Sequence, residues 1–270
     1  MLNLIQIFKS EFGHTKKSFG QHFLVNKHIL SVICDEAEIK PDDYVVEIGP
    51  GCGVLSYELL ERNANVLCVE IDRDLAHFLR RYLHIYGNFN IINKDFMLTD
   101  TADFQTDKKI KFVGNLPYNV STKIVEHTVN FHNSIDLMVF MFQKEVAERI
   151  ISLPKNKTYS SLSVFCQYYF DIFKVKHLSG KNFWPTTKVE STVLKFLPKK
   201  RHFKDEDDEK DFLKFIKSCF VLKRKTLKNN LKHIENIEDK IKEFFGSDSV
   251  RAEELKLEDF IRFYEYLRSK

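Results

Sequence analysis

Short apolar runs alternate with stretches of helical periodicity over the first two-thirds of the chain. Runs rich in β-branched and aromatic residues predict strands at Tyr44–Ile48, Val66–Glu70, Phe89–Asn93, Ile110–Gly114 and Leu137–Phe142, then at Phe173–His177 and Thr192–Leu197. Between them apolar residues recur at helical spacing. Leu75, Leu79 and Leu83 follow Asp72 as a predicted N-cap, and Ile124, Val125, Thr128 and Val129 follow Ser121 as another. Such alternation predicts an α/β domain with an open, mostly parallel sheet and helices on both faces. Ligands of these sheets bind at the carboxyl ends of the strands, near the point where the strand order reverses. From Lys199 onward the strand pattern stops, and Leu257, Phe260, Ile261, Tyr264 and Leu267 mark an amphipathic terminal helix. The pattern predicts an α/β domain over 1–198 and a small all-helical domain over 199–270, with no internal repeat.

Composition narrows the class. At 270 residues the chain suits one large domain or two modest ones, and 43% hydrophobic residues provide a sizeable core. No run of about 18 apolar residues predicts a membrane span. The opening MLNLIQIFKSEF lacks a leading basic region and a small-residue cleavage site, so no secretory signal is read. Five scattered cysteines without a C-x-x-C pair fit a reducing, cytoplasmic setting and exclude a disulfide scaffold or a Cys-type zinc site.

A net charge of +4 announces no partner, but its distribution is uneven. Phe212–Ile234 holds no acid and seven basic residues: Lys214, Lys217, Lys223, Arg224, Lys225, Lys228 and Lys232. Apolar residues at helical spacing (Phe212, Phe215, Ile216, Phe220, Leu227, Leu231) predict a folded helix with a basic face. From the residues alone two readings stand, a hydrated surface or a contact with a phosphate backbone.

The first strand runs into Glu47-Ile48-Gly49-Pro50-Gly51-Cys52-Gly53, and a helical pattern begins at once. Glycines at such a junction turn the backbone tightly and admit a ligand close to a helix amino end. The spacing is G-x-G-x-G rather than the dinucleotide G-x-G-x-x-G, and a plain turn is the alternative. Glu70 ends the second strand, where a carboxylate can accept hydrogen bonds from both ribose hydroxyls of a nucleoside. Asp95 follows the third strand and either caps a turn or accepts from an adenine amino group, with Ile71 or Phe96 over a ring face. Together, Gly49, Gly51, Glu70 and Asp95 at successive strand ends form a nucleoside cofactor site.

The fourth strand ends in Asn115-Leu116-Pro117-Tyr118. The exocyclic amine of adenine is a poor nucleophile, because its lone pair is delocalised into the ring. Two acceptors on its hydrogens free that lone pair: the side-chain oxygen of Asn115 and the carbonyl of Leu116, which Pro117 keeps out of helical geometry. Tyr118 gives the base a face to stack on, worth about 1–3 kcal/mol. Methyl transfer from a sulfonium donor then needs alignment and no strong base. An isolated N-L-P-Y would read as a strand-ending turn. Behind the glycine loop, Glu70 and Asp95, it reads as an adenine-amine methyltransferase acting on nucleic acid.

These residues resemble the rRNA adenine N6,N6-dimethyltransferases of the KsgA type, over nearly the whole chain. Lys16-Lys17-Ser18-Phe19-Gly20-Gln21-His22-Phe23-Leu24 is similar to the family's opening motif. Met141–Val146 and Tyr159–Ser163 are similar to its later motifs, and Phe183–Ser191 to its F-x-P-x-P-K-V-x-S loop. The resemblance implies a Rossmann-like class I methyltransferase domain, S-adenosylmethionine as methyl donor and no metal. It implies that His22, Leu24, Gly49, Glu70, Asp95 and Asn115 line the cofactor site, and that Phe183 forms a second aromatic wall opposite Tyr118. Lys223–Leu231 is similar to the family's basic helix, so Lys223, Arg224, Lys225 and Lys228 are expected to contact rRNA. The implied reaction dimethylates two adjacent adenosines near the 3′ end of small-subunit rRNA, on the assembling 30S particle, by a monomeric enzyme. Three departures stand out: His22 where bacterial members mostly carry Asn, Trp184 with Thr186-Thr187 in the loop, and the missing second proline.

Two relatives of this reading share the fold: a large-subunit rRNA methyltransferase of the macrolide-resistance type, and a non-catalytic assembly or transcription factor. The basic helix and Arg251-Ala252-Glu253 favour the small-subunit enzyme over the first. Intact Glu70, Asp95 and Asn115 speak against the second.

Overall fold

The computed structural model describes residues 3–13 and 22–269. The motif segment Lys16–Gln21 lies outside the described residues. The chain divides into two compact units, Met1–Ala147 with Ile172–Pro198, and Glu148–Asp171 with Lys199–Lys270.

In the first unit the strands are β1 (Phe23–Leu24), β2 (Tyr44–Ile48), β3 (Asn65–Glu70), β4 (Phe89–Asn93), β5 (Ile110–Asn115), β6 (Ile135–Gln143), β7 (Phe170–Leu178), β8 (Phe183–Trp184) and β9 (Ser191–Pro198). Every strand expected from the sequence is present, extended by a few residues where partners complete a ladder. The helices are α1 (Leu4–Phe12), α2 (Lys27–Glu36), α3 (Val54–Glu61), α4 (Arg73–Leu83) and α5 (Ser121–Thr128). Seven strands form one sheet in the order β4-β3-β2-β5-β6-β9-β7. β4 through β6 are mutually parallel, and β9 adds antiparallel to β6. The chain order reverses between β2 and β5, so the loops after these two strands flank the crevice where such sheets bind ligands. The strands are buried nearly end to end, as in Val45, Val46, Val113, Val139 and Phe140, all fully buried, because helices cover both faces.

The helices start where local chemistry satisfies free amide groups. The Asp72 carboxylate accepts from Asp74 N at α4, and the Asn26 side chain accepts from His28 N and Ile29 N at α2. Ser121 does not cap α5 as expected. It is the first helical residue, and its hydroxyl donates to Tyr118 O at 3.4 Å. A separate two-stranded ribbon pairs β1 with β8 antiparallel, Phe23 opposite Trp184 and Leu24 opposite Phe183. α1 lies on this ribbon through Phe8, 5.1 Å from the Phe23 ring and 6.1 Å from that of Trp184.

The second unit is built on α7 (Ser161–Tyr169), with α8 (Glu206–Cys219), α9 (Leu227–Asn230), α10 (Ile237–Phe245) and α11 (Leu257–Ser269) after it; α6 (Lys144–Ile150) starts in the first unit, which runs through Ala147, and ends in the second. A division at residue 198 alone does not describe these units, since Glu148–Asp171 groups with the C-terminal helices. Tyr168 of α7 sits 5.3 Å from the Phe212 ring, and its hydroxyl donates to the buried Glu209, which also pairs with Arg201 at 3.1 Å. Tyr159 donates to Leu255 O at 3.0 Å. The basic window also departs from one continuous helix. α8 ends at Cys219, residues 220–226 form turns, and α9 is a single turn. Among the described residues no helix is long and apolar enough to cross a membrane, and all five cysteines are buried free thiols.

One glycine fixes how closely β2 and β5 approach at the crevice. A Cβ on Gly114 would lie 2.7 Å from the Ile48 carbonyl oxygen and 3.2 Å from the Leu116 side chain. Gly114→Ala is expected to lower stability in denaturant titration by about 1–3 kcal/mol, as overpacking does. Gly87→Ala, whose Cβ enters open space, is the control and should stay within about 0.5 kcal/mol of wild type.

Candidate active site

Four successive strand ends surround one cavity of about 350 Å³. β2 delivers the glycine loop, β3 delivers Glu70, β4 delivers Asp95, and β5 delivers Asn115 through Tyr118; all of these line it. His22, Leu24, Gly49 and Gly51 line it as well. Gly51 has φ +59°, and a Cβ there would lie 2.7 Å from the Phe23 ring. The loop thus needs glycine for its backbone conformation and for the close approach of β1.

The Glu70 carboxylate is buried and holds the loop from beneath. Its Oε2 accepts from Gly51 N at 3.2 Å and its Oε1 from Asp72 N at 2.9 Å. Asp95 fulfils the first of the two readings open from its sequence and leaves one oxygen for the second. Its Oδ1 caps the following turn by accepting from Met97 N at 2.9 Å, and among the described residues nothing donates to Oδ2. Ile71, half-exposed, and Phe96, which packs on Phe112, His127 and Phe131, both line the cavity.

Asn115 is the residue the surroundings leave incomplete. Its Nδ2 donates to the His22 carbonyl at 3.0 Å, which fixes the orientation of the amide. Its Oδ1 is buried without a hydrogen-bond partner, one of two such side-chain atoms among the described residues. The next residue is anchored by Leu116 N donating to Met141 O at 3.3 Å, and among the described residues nothing donates to the Leu116 carbonyl. Two acceptors therefore stand at the end of β5, on the wall of the cavity. Tyr118, half-buried, follows them, with its hydroxyl 2.7 Å from Ser191 Oγ. The His22 ring donates from Nδ1 to Pro185 O at 2.9 Å.

Two expected roles meet different surroundings. Phe183 does not line the cavity. Its pairing with Leu24 turns the ring into the core, where it is 3% exposed. Lys228 is engaged by two carboxylates, Glu238 at 2.7 Å and Asp248 at 2.5 Å, so its charge is already matched. Lys223, Arg224 and Lys225 lie instead in the turns after α8, beside Val221 (70% exposed). There Lys223 Nζ donates to Lys157 O at 2.7 Å.

Glu47 lines the cavity too, a role its sequence signal, an acid inside the apolar run YVVEI, did not specify. It is buried in β2, accepting from Ser56 Oγ at 2.5 Å and from Cys68 Sγ at 3.6 Å. Burial pushes both Glu47 and Glu70 up to about 7, the hydrogen bonds from Ser56 and from the Asp72 amide opposing it. Among the described residues no group of three or more His, Cys, Asp or Glu side chains is placed to hold a metal ion.

Residues 13–269 match the family described as Ribosomal RNA adenine dimethylase. A protein of Sulfurihydrogenibium sp. named Ribosomal RNA small subunit methyltransferase A is 40% identical over 251 residues, 92% of this chain and 95% of the relative. Among solved structures, a dimethyladenosine transferase from Plasmodium falciparum superposes with TM-score 0.76 at 27% identity, covering 90% of this chain and 96% of that one. The 23S rRNA methyltransferase ErmE superposes with TM-score 0.70 at 24% identity, over 91% of this chain and 99% of that one, a likeness of fold.

Glu47 and Glu70 favour their neutral forms in the folded protein. The stability they contribute is full below the ordinary carboxylate range and is lost as pH rises through about 7. Charging each is worth on the order of 3 kcal/mol. Glu47→Gln keeps an acceptor for Ser56 and removes the charge. Its melting temperature, followed by scanning calorimetry, should gain on wild type as pH rises from about 5 to about 8. A constant difference would contradict the assignment.

Proposed function

The chain belongs to the ribosomal RNA adenine dimethylase family, and from that premise we propose that it dimethylates N6 of two adjacent adenosines near the 3′ end of small-subunit rRNA. It is an S-adenosylmethionine-dependent rRNA methyltransferase. On this reading it acts in the cytoplasm, as a monomer, on the assembling small subunit. The observation that carries the chemistry is the buried, partnerless Oδ1 of Asn115 on the wall of a cavity that also presents Glu70 and Asp95.

The cavity fits the methyl donor. Glu70 would take the ribose hydroxyls, Asp95 Oδ2 the adenine amino group, and Ile71 one ring face. The glycine loop, His22 and Leu24 line the rest of the cavity. When bound, S-adenosylmethionine supplies a methyl group on a positively charged sulfur. The protein's part is to prepare the nucleophile. Asn115 Oδ1 and the Leu116 carbonyl accept the two hydrogens of the target N6, drawing its lone pair out of conjugation. Pro117 keeps the Leu116 carbonyl from turning into a helix, and Tyr118 stacks on the base. Preorganised acceptors of this kind stabilise charge as it develops, without reorganising. Lys223, Arg224 and Lys225 would meet phosphates, while Lys228 would brace the turn that carries them.

The purified protein should transfer radiolabelled methyl groups to undermethylated small subunits, and mapping should find two neighbouring dimethyladenosines. Label on large subunits alone would favour the macrolide-resistance activity, and tight binding without transfer a non-catalytic factor. Asn115→Ala should lower turnover by about 10²–10³-fold and leave particle binding within a few-fold. Near-normal turnover would remove Asn115 from the chemistry. Lys223, Arg224 and Lys225 changed together to Glu should weaken particle binding and flatten its dependence on log salt by about 2–3. An unchanged slope would return these residues to the hydrated surface.

A further inference from the structure

Tyr118 is held by a residue outside the cavity. Its hydroxyl lies 2.7 Å from Ser191 Oγ, and Ser191 is fully buried at the first position of β9. Ser191 faces Gln143 in the antiparallel pairing of β9 with β6. At the next position beyond that pair, the two segments are locked twice. Lys144 N donates to Glu190 O at 3.0 Å, and Lys144 Nζ pairs with the Glu190 carboxylate at 2.7 Å. His177 of β7 adds a third tie, with Nε2 3.3 Å from Glu190 and Nδ1 3.4 Å from Thr192 Oγ1. Lysine at the Glu190 carboxylate, and then His177, hold it below the usual carboxylate range, in keeping with this geometry.

The physical consequence concerns the ring. A tyrosine with only its face at work would rotate about its side-chain torsions and lose stacking geometry. A hydroxyl fixed at one point by a buried, strand-borne partner stops the swing about the first torsion and holds the ring's long axis in place. We propose that Ser191 is a positioning residue for the reaction: acting through the Tyr118 hydroxyl, it sets where the ring stands on which the target adenine stacks, and the Lys144–Glu190 pair holds Ser191 in register. The segment Gln143-Lys144-Glu145, which has no chemistry of its own in the cavity, thereby serves the base wall from behind. This inference rests on the adenine methyltransferase reading above.

A double-mutant cycle tests it, with Ser191→Ala, Tyr118→Phe and the pair assayed on undermethylated small subunits. Each single variant should lower kcat by about five- to tenfold, the range of one buried hydrogen bond, with cofactor affinity by calorimetry and melting temperature close to wild type. The double variant should match either single one, because each removes the same contact. Multiplying effects would overturn the proposal, as would wild-type kcat in Ser191→Ala. So would a parallel loss of cofactor affinity and melting temperature, which would mark Ser191 as a residue of the strand alone. Wild-type protein that transfers no methyl group would sink the functional reading and this inference with it; an active wild type beside an unaffected Ser191→Ala would sink the inference only.

Discussion

One amide group organises the site. The Asn115 nitrogen is tied to the His22 carbonyl, and its oxygen is buried with nothing among the described residues to accept from. Leaving such an acceptor dry in a folded protein costs about 1–3 kcal/mol, and folds keep groups of this kind where a ligand completes them. The surroundings make the arrangement stiff. Gly114 lets β5 press against β2, Leu116 N is anchored on β6, and Pro117 follows at once. The acceptor pair is therefore set by the sheet rather than by a loop, which is what a reaction needing alignment more than acid–base chemistry demands.

The sheet order explains why the remaining groups converge there. β2 and β5 are neighbours although β3 and β4 separate them in sequence, so the glycine loop and the Asn115 segment leave the sheet side by side. β3 and β4 continue outward from β2, which strings Glu70 and Asp95 along one side of the same cavity. On the proposed reading, the nucleoside-binding groups and the amine-activating groups thus lie on opposite sides of the switch point. Glu70 braces the loop through Gly51, and on that reading it also accepts from the ribose diol.

Periodicity and turn chemistry made most of this legible. The strands, the Asp72 cap, the terminal helix and the cavity-lining residues from Gly49 to Tyr118 follow from local pattern, since each is decided by neighbours a few positions away. What the pattern did not reveal depends on distant partners. Phe183 reads as a free aromatic, and only its pairing with Leu24 turns it inward. Lys228 reads as part of a basic face until Glu238 and Asp248, 10 and 20 residues on, close over it. The break after Cys219 was hidden because Phe220 and Leu227 keep helical spacing across turns. Ser191 stood in the sequence only as the last residue of the Phe183–Ser191 motif, because a serine at a strand end shows nothing of the hydroxyl it will meet.

Dimethylation places unequal demands on these parts. On the proposed reading the target nitrogen has two hydrogens before the first transfer, one for Asn115 Oδ1 and one for the Leu116 carbonyl; as the N–C bond forms and the C–S bond breaks, one of them leaves as a proton to solvent. Afterwards one hydrogen remains, so one acceptor loses its bond and faces a methyl group instead. The activating pair then supplies about half of its former pull, and a larger share of the alignment falls to stacking. A wall that only happened to be aromatic would serve the first transfer better than the second. A ring anchored by its hydroxyl keeps its place when the amine loosens its hold, and the reaction that needs that constraint most is the one that completes the modification.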